Sequence, residues 1–176
     1  MKLFISISWI VVSLFPIYSD SQEWKVEDGK VFFKSETELE TILGEGSQVK
    51  GSLDISSKKI IIEIGLSDLK TPNRLQTSHM HENYLETHLY PVARFTGTVE
   101  SIKDSGEVKA KGIFELHGKT KEDFVIIGNL EKKGNKIEQL SYFTVNLSDF
   151  GIEIPKLLFL KLNKMIQLKV KLVWKI

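Results

Sequence analysis

Strict alternation of apolar and polar residues constrains this chain more than any other feature. Over residues 107–116, Val108, Ala110, Gly112, Phe114 and Leu116 share one side of an extended backbone, while Lys109, Lys111 and Glu115 share the other. Residues 166–176 repeat the pattern, with Ile166, Leu168, Val170, Leu172, Trp174 and Ile176 set against Gln167, Lys169, Lys171 and Lys175. Each stretch reads as a strand with one wet face and one buried face. Further strands are expected near 24–35, 47–55, 58–68, 91–102, 122–131 and 136–148. Turn chemistry at Asp28-Gly29, Ser56-Ser57, Asp104-Ser105-Gly106 and Lys133-Gly134-Asn135 separates them. About eight short strands with hairpin-sized gaps predict an all-β protein, an antiparallel barrel or sandwich.

Three stretches break the alternation. Residues 37–44, TELETILG, suit a short helix ended by Gly44. Residues 155–165, PKLLFLKLNKM, place Pro155 at a first helical position and Leu158, Leu162 and Met165 at helical spacing. The third, residues 74–91, contains three of the four histidines. A helix is expected there, with Ser78 as N-cap and Met80 and Tyr84 four apart. On such a helix His79 and His81 point roughly 200° apart, and His81 and His88 are separated by about 10 Å along the axis, so no pair shares an ion. No metal site is therefore expected. The organisation is a β-barrel with short helices over its openings.

The chain of 176 residues suits one domain, preceded by a leader. Lys2 is followed by an apolar run from Leu3 to Tyr18 and then by Ser19-Asp20-Ser21, which reads as a signal peptide over 1–21 cleaved near Ser21. The alternative, an uncleaved anchor, is disfavoured by the shortness of the run against the ~20 residues of a span. The remaining domain, 22–176, is expected in the periplasm, without stable membrane insertion. The absence of cysteine removes disulfides, thiol catalysis and a lipidated cysteine. A net charge of +1 and the lack of a basic block argue against nucleic acid as a partner. No nucleophile-base-orienter set is recognisable, so no catalytic residue is assigned and the protein is not expected to be an enzyme.

The order of motifs resembles one family. Gly51-x-Leu53 is followed by HMHENYLETHLYPVARFTG, then GIFELHGKTKE, then FTVNLSDFGIEIP. Together these resemble the YceI-like family of exported polyisoprenoid-binding proteins, over about residues 24–176. The most specific parts are Tyr90-Pro91-x-x-x-Phe95, Leu116-His117-Gly118 with Lys119-Thr120, and Asp149-Phe150-Gly151-Ile152 before Pro155. The resemblance implies a lipocalin-like antiparallel barrel with an elongated apolar cavity for the isoprenoid tail of a lipid or quinone, and no cofactor or catalytic residue beyond that ligand. It also implies a short helix before Tyr90-Pro91 with His79 and Met80 in it. The family's common Arg-Asp pair ahead of that histidine is replaced by Gln76-Thr77, with Arg74 nearby.

A tail rich in CH2 groups gains roughly 0.8 kcal/mol for each one buried, so the expected walls are apolar and continuous. The wall candidates are Ile62, Ile64, Phe95, Phe114, Leu116, Phe143, Val145, Leu158 and Leu168. His79 and Asn83, four apart on the expected helix, are the polar candidates at the mouth, and His117 is expected to brace a loop. Ala93, Gly97, Ala110 and Gly112 sit on the inner faces of neighbouring strands, where small residues serve either close packing or an open space. The function so predicted is a non-catalytic carrier of an isoprenoid lipid. The alternatives are a filled barrel acting as an interaction or stress-related structural protein, and a histidine-dependent metalloenzyme. A homodimer is left open.

Overall fold

In a computed structural model, residues 23–36, 41–153 and 163–176 are described. Among the described residues nine antiparallel strands form one closed sheet: β1 Glu23–Glu36, β2 Thr41–Gly46, β3 Val49–Asp54, β4 Lys59–Gly65, β5 Val92–Val99, β6 Gly106–Leu116, β7 Lys119–Lys133, β8 Lys136–Asn146 and β9 Met165–Lys175. From β3 onwards each strand pairs with the next in sequence, and β9 returns to β1, with Val31 opposite Val170 and Phe33 opposite Leu168. The strands β2 and β3 occupy a single place in the ring. The upper part of β1 pairs with β2, Val31 opposite Gly46, and its beginning pairs with β3, Trp24 opposite Leu53. The result is a closed barrel of eight strand positions, in which closure leaves few unpaired edges.

The period-two expectation is met along the whole wall. Inward residues such as Val31, Ile60, Phe95, Phe114, Val145, Leu172 and Trp174 are buried in one core. The charged residues lie outside, where cross-strand pairs such as Arg94 with Glu63 at 2.7 Å and Lys109 with Glu100 at 2.7 Å are exposed. Among the described residues no helix is long and apolar enough to cross a membrane.

Three local expectations are corrected. Of the helix expected over 37–44, residues 37–40 lie outside the described residues, and Thr41–Gly46 is the strand β2, with Ile42 and Leu43 paired antiparallel to Ser35 and Lys34. Gly44 is a strand glycine: a Cβ there would lie 2.1 Å from Cζ of Phe33, its partner on β1. Asp28-Gly29 is not a turn but part of β1, next to a register shift against β9. A Cβ on Gly29 would come within 2.6 Å of Cβ of Val49, so glycine allows the close approach at the point where β1 passes from β3 to β2. The helix expected from Ser78 begins earlier, as α1 Arg74–His79, capped by Asn73. The leader over 1–21 and nearly all of the helix expected over 155–165 lie outside the described residues; Met165 itself opens β9.

Candidate functional site

The connection between β4 and β5 covers one end of the barrel. It leaves β4 through a single 3-10 turn, Leu66–Asp68, whose Asp68 carboxylate reaches back to the break between β2 and β3. There it accepts hydrogen bonds from the backbone N–H groups of Ser47 and Gln48 and from the Ser47 hydroxyl. The Ser47 N–H is the leading cause that holds the Asp68 carboxyl below its ordinary value. Helix α1 follows. The Asn73 side chain accepts from the N–H groups of Leu75 and Gln76 at 2.9 and 3.2 Å, which meets two of the donors that a helix start leaves free. The Thr71 N–H donates to the Thr77 hydroxyl at 2.9 Å and ties the approach to the helix. Beyond His79 the helix widens into a π-type turn over Met80–Tyr84, and Ser78 donates its hydroxyl proton to Glu82 at 2.8 Å instead of capping.

One interaction ties this cover within itself and another anchors it to the barrel. The His81 ring bonds to the carbonyl of Leu69 at 2.8 Å. Nε2 of His117, at the tip between β6 and β7, lies 2.6 Å from the Glu86 carboxylate, and its Nδ1 lies 3.3 Å from the carbonyl of Phe150. His117 and Gly118 both have positive φ, 53° and 68°, the pair of conformations that a two-residue hairpin turn demands. A side chain on Gly118 would strike the Tyr90 ring, which packs 4.5 Å from the imidazole. His117 thus braces the cover and lines neither of the two chambers described below. No group of three metal-ligating side chains converges among the described residues.

Beneath the cover lies an apolar chamber with about 170 Å³ of space open to the centre of a water molecule. One water needs roughly 10–15 Å³ by the same measure, so the space is far more than a packing defect. Ile64, Phe114, Leu116, Phe143, Val145 and Leu168 contribute to its walls, and His79 stands at its rim with Met80 and Gln76. A second, deeper chamber of about 50 Å³ is walled by Ile62, Ile64, Phe95, Phe114 and Phe143 among others, and ends at Trp24 and Trp174. Asn83 is a correction: the π-type turn carries it away from the chambers, it is exposed, and it lines neither. Leu158 lies outside the described residues.

The small inward residues divide into two kinds. Ala93 borders both chambers and Ala110 the deeper one. Gly97 and Gly112 face each other across β5 and β6 and border neither; a Cβ on Gly112 would fall 2.1 Å from the carbonyl oxygen of Thr96. The glycines serve strand approach and the alanines leave room.

Sequence reasoning did not single out several residues that the fold makes important. Phe124 stacks on Phe114 with centroids 4.9 Å apart, behind a bulge in which Phe114 faces Lys121 and Gly112 faces Phe124. Trp24 and Gln139 at the deep end were likewise legible only as inward positions of strands.

A family model described as the YceI-like domain matches residues 23–176. The chain belongs to the YceI-like family. No sequence among curated proteins matches it. Among solved structures, a polyisoprenoid binding domain from Saccharophagus degradans, implicated in plant cell wall breakdown, superposes with a TM-score of 0.72 at 14% identity, covering 86% of this chain and 97% of the other. BcnA of Burkholderia cenocepacia matches with a TM-score of 0.68 at 14% identity over 82% and 95% of the two chains. A YceI protein of Campylobacter jejuni matches with a TM-score of 0.57 at 16% identity over 98% and 91%. At these identities the likeness is one of fold, and it is the YceI-like fold that the motifs anticipate.

Proposed function

We propose that this YceI-like protein is a non-catalytic carrier that holds the isoprenoid tail of a lipid or quinone inside the barrel, in the periplasm, after removal of the leader near Ser21. The observation that carries the reading is the chamber beneath α1: a space of about 170 Å³ with walls mainly of Ile, Leu, Val and Phe, and with Ser35, Thr71, Gln76, His79 and Tyr84 as its polar neighbours. Such walls offer no charge for a catalysed reaction and suit a chain of CH2 and CH3 groups, whose burial supplies affinity in proportion to area. The polyisoprenoid-binding description of the Saccharophagus degradans domain, which shares the fold, supports the same ligand class. The filled-barrel alternative is disfavoured by that space.

Native mass spectrometry of the protein recovered from the exported fraction, followed by organic extraction, tests the proposal. A stoichiometric isoprenoid lipid is the expected result. Protein that carries none, and takes up no added prenol, overturns it.

A further inference from the structure

The two chambers meet at four residues, Ile64, Ala93, Phe114 and Phe143, which line both. Two of these are aromatic and come from strands that are not neighbours, β6 and β8, with their ring centroids 6.2 Å apart and nearly edge to face. Phe124 on the intervening β7 backs both, stacked on Phe114 at 4.9 Å and edge-on to Phe143 at 5.8 Å. Phe150, fully buried, adds an edge contact to Phe114 at 5.6 Å. Phe114 is therefore held from three sides. Opposite, Ile64 and the small Ala93 leave the waist that remains between the chambers.

Both chambers are bordered mainly by hydrocarbon, the one beneath the cover with Ser35, Thr71, Gln76, His79 and Tyr84 as its polar neighbours. The deeper one ends among hydrogen-bonding groups: Trp174 Nε1 donates to Oε1 of Gln139 at 2.8 Å, and Nε2 of Gln139 donates to the buried Ser141 hydroxyl at 2.9 Å. Nε1 of Trp24, on a residue lining the same chamber, is buried and has no acceptor among the described residues. That donor is one a hydrocarbon tail cannot satisfy.

We infer that Phe114 and Phe143 form a stop for tail length, so that the protein takes short isoprenoid tails in the chamber beneath the cover and does not admit longer ones into the deeper chamber. This rests on the isoprenoid-carrier reading and makes it more specific. It assigns Phe143, the half-buried and less clamped of the two rings, as the specificity-determining residue.

The test is a binding series with geraniol, farnesol, geranylgeraniol and octaprenol, measured on the full protein and on Phe143→Ala, with Phe143→Leu as the milder variant should the first fail to fold. In the wild type, affinity is expected to rise about tenfold or more for each added prenyl unit while the chamber fills, then to level off or fall. In the variants the break moves to a longer prenol by at least one unit. Wild-type affinity that climbs unbroken to octaprenol, or a break at the same length in wild type and variants, overturns the stop and leaves the carrier reading standing. Failure of the wild type to bind any prenol overturns the carrier reading, and the stop with it.

Discussion

At the end of the barrel that holds Trp24 and Trp174, the packing side chains come from β1, β6, β7, β8 and β9 and meet as direct extensions of the wall. At the other end a single connection between β4 and β5 does the covering, with a six-residue helix none of whose residues is buried. The first end is held by area: Trp174 is 1% exposed and Ile137 wholly buried. The second is held by a smaller buried set, Leu66, Leu69 and Leu85, and by a few polar ties, from Asp68 to Ser47 and Gln48 and from Glu86 to His117, with His81 bonded to Leu69 inside the cover. Burial spread over many strands opens only with the whole fold, whereas a cover held by a few leucines and separate hydrogen bonds can open by itself. A binding protein that must admit an apolar guest needs one end of each kind.

The largest effect is expected at the closed end. Trp174→Ala should lower the unfolding free energy by about 3–5 kcal/mol, read from denaturant unfolding, because it deletes a fully buried indole and strips Gln139 of a donor. A loss confined to the cover, with the global midpoint intact, would break the comparison. In the wall between the ends, Gly112→Ala should cost about 1–3 kcal/mol, since its Cβ meets the backbone of Thr96 and Gly97 rather than a yielding side chain. At the open end, Asn73→Ala should weaken α1 by about 1 kcal/mol. Hydrogen exchange should show that loss as faster exchange over 74–79, with the strand amides unchanged.

The smallest effect is a pH dependence of the cover. The folded pKa of Asp68 lies below the ordinary 3.8, so its contribution is fully present above that value and is lost as pH falls through the lowered folded value. Protection of the Ser47 and Gln48 amides, measured against the intrinsic exchange rate at each pH, should fall on acidification through that range before that of the β8 and β9 amides. Asp68→Asn should leave those two amides poorly protected at every pH.

The wall was legible in the sequence because alternation acts residue by residue: Phe95, Phe114, Leu116, Val145 and Leu168 are inward by parity alone, and all line a chamber. The β2 strand was not. Its few apolar residues fit a helical turn as well as a strand, and the choice is made by pairing with β1, a tertiary contact. The helix start was misplaced because Asn73, behind Pro72, competes with Ser78 as a cap, and the cap that wins also has Thr71 and Thr77 to tie it in place. The waist was illegible for a different reason. Its two rings stand on β6 and β8, and their meeting depends on barrel curvature and on the bulge near Phe124, neither of which a linear pattern encodes.

The seam between β1 and β9 has a consequence in time. Lys25 pairs with Lys175 and Lys34 with Gln167, so the ring is completed by strands far apart in sequence. Closing so long a loop is slow, and the contacts that reward it come only when the last strand is available. Until then the inner faces of the other strands have no finished interior to enter, and the arrival of β9 is the event that turns a string of hairpins into a container.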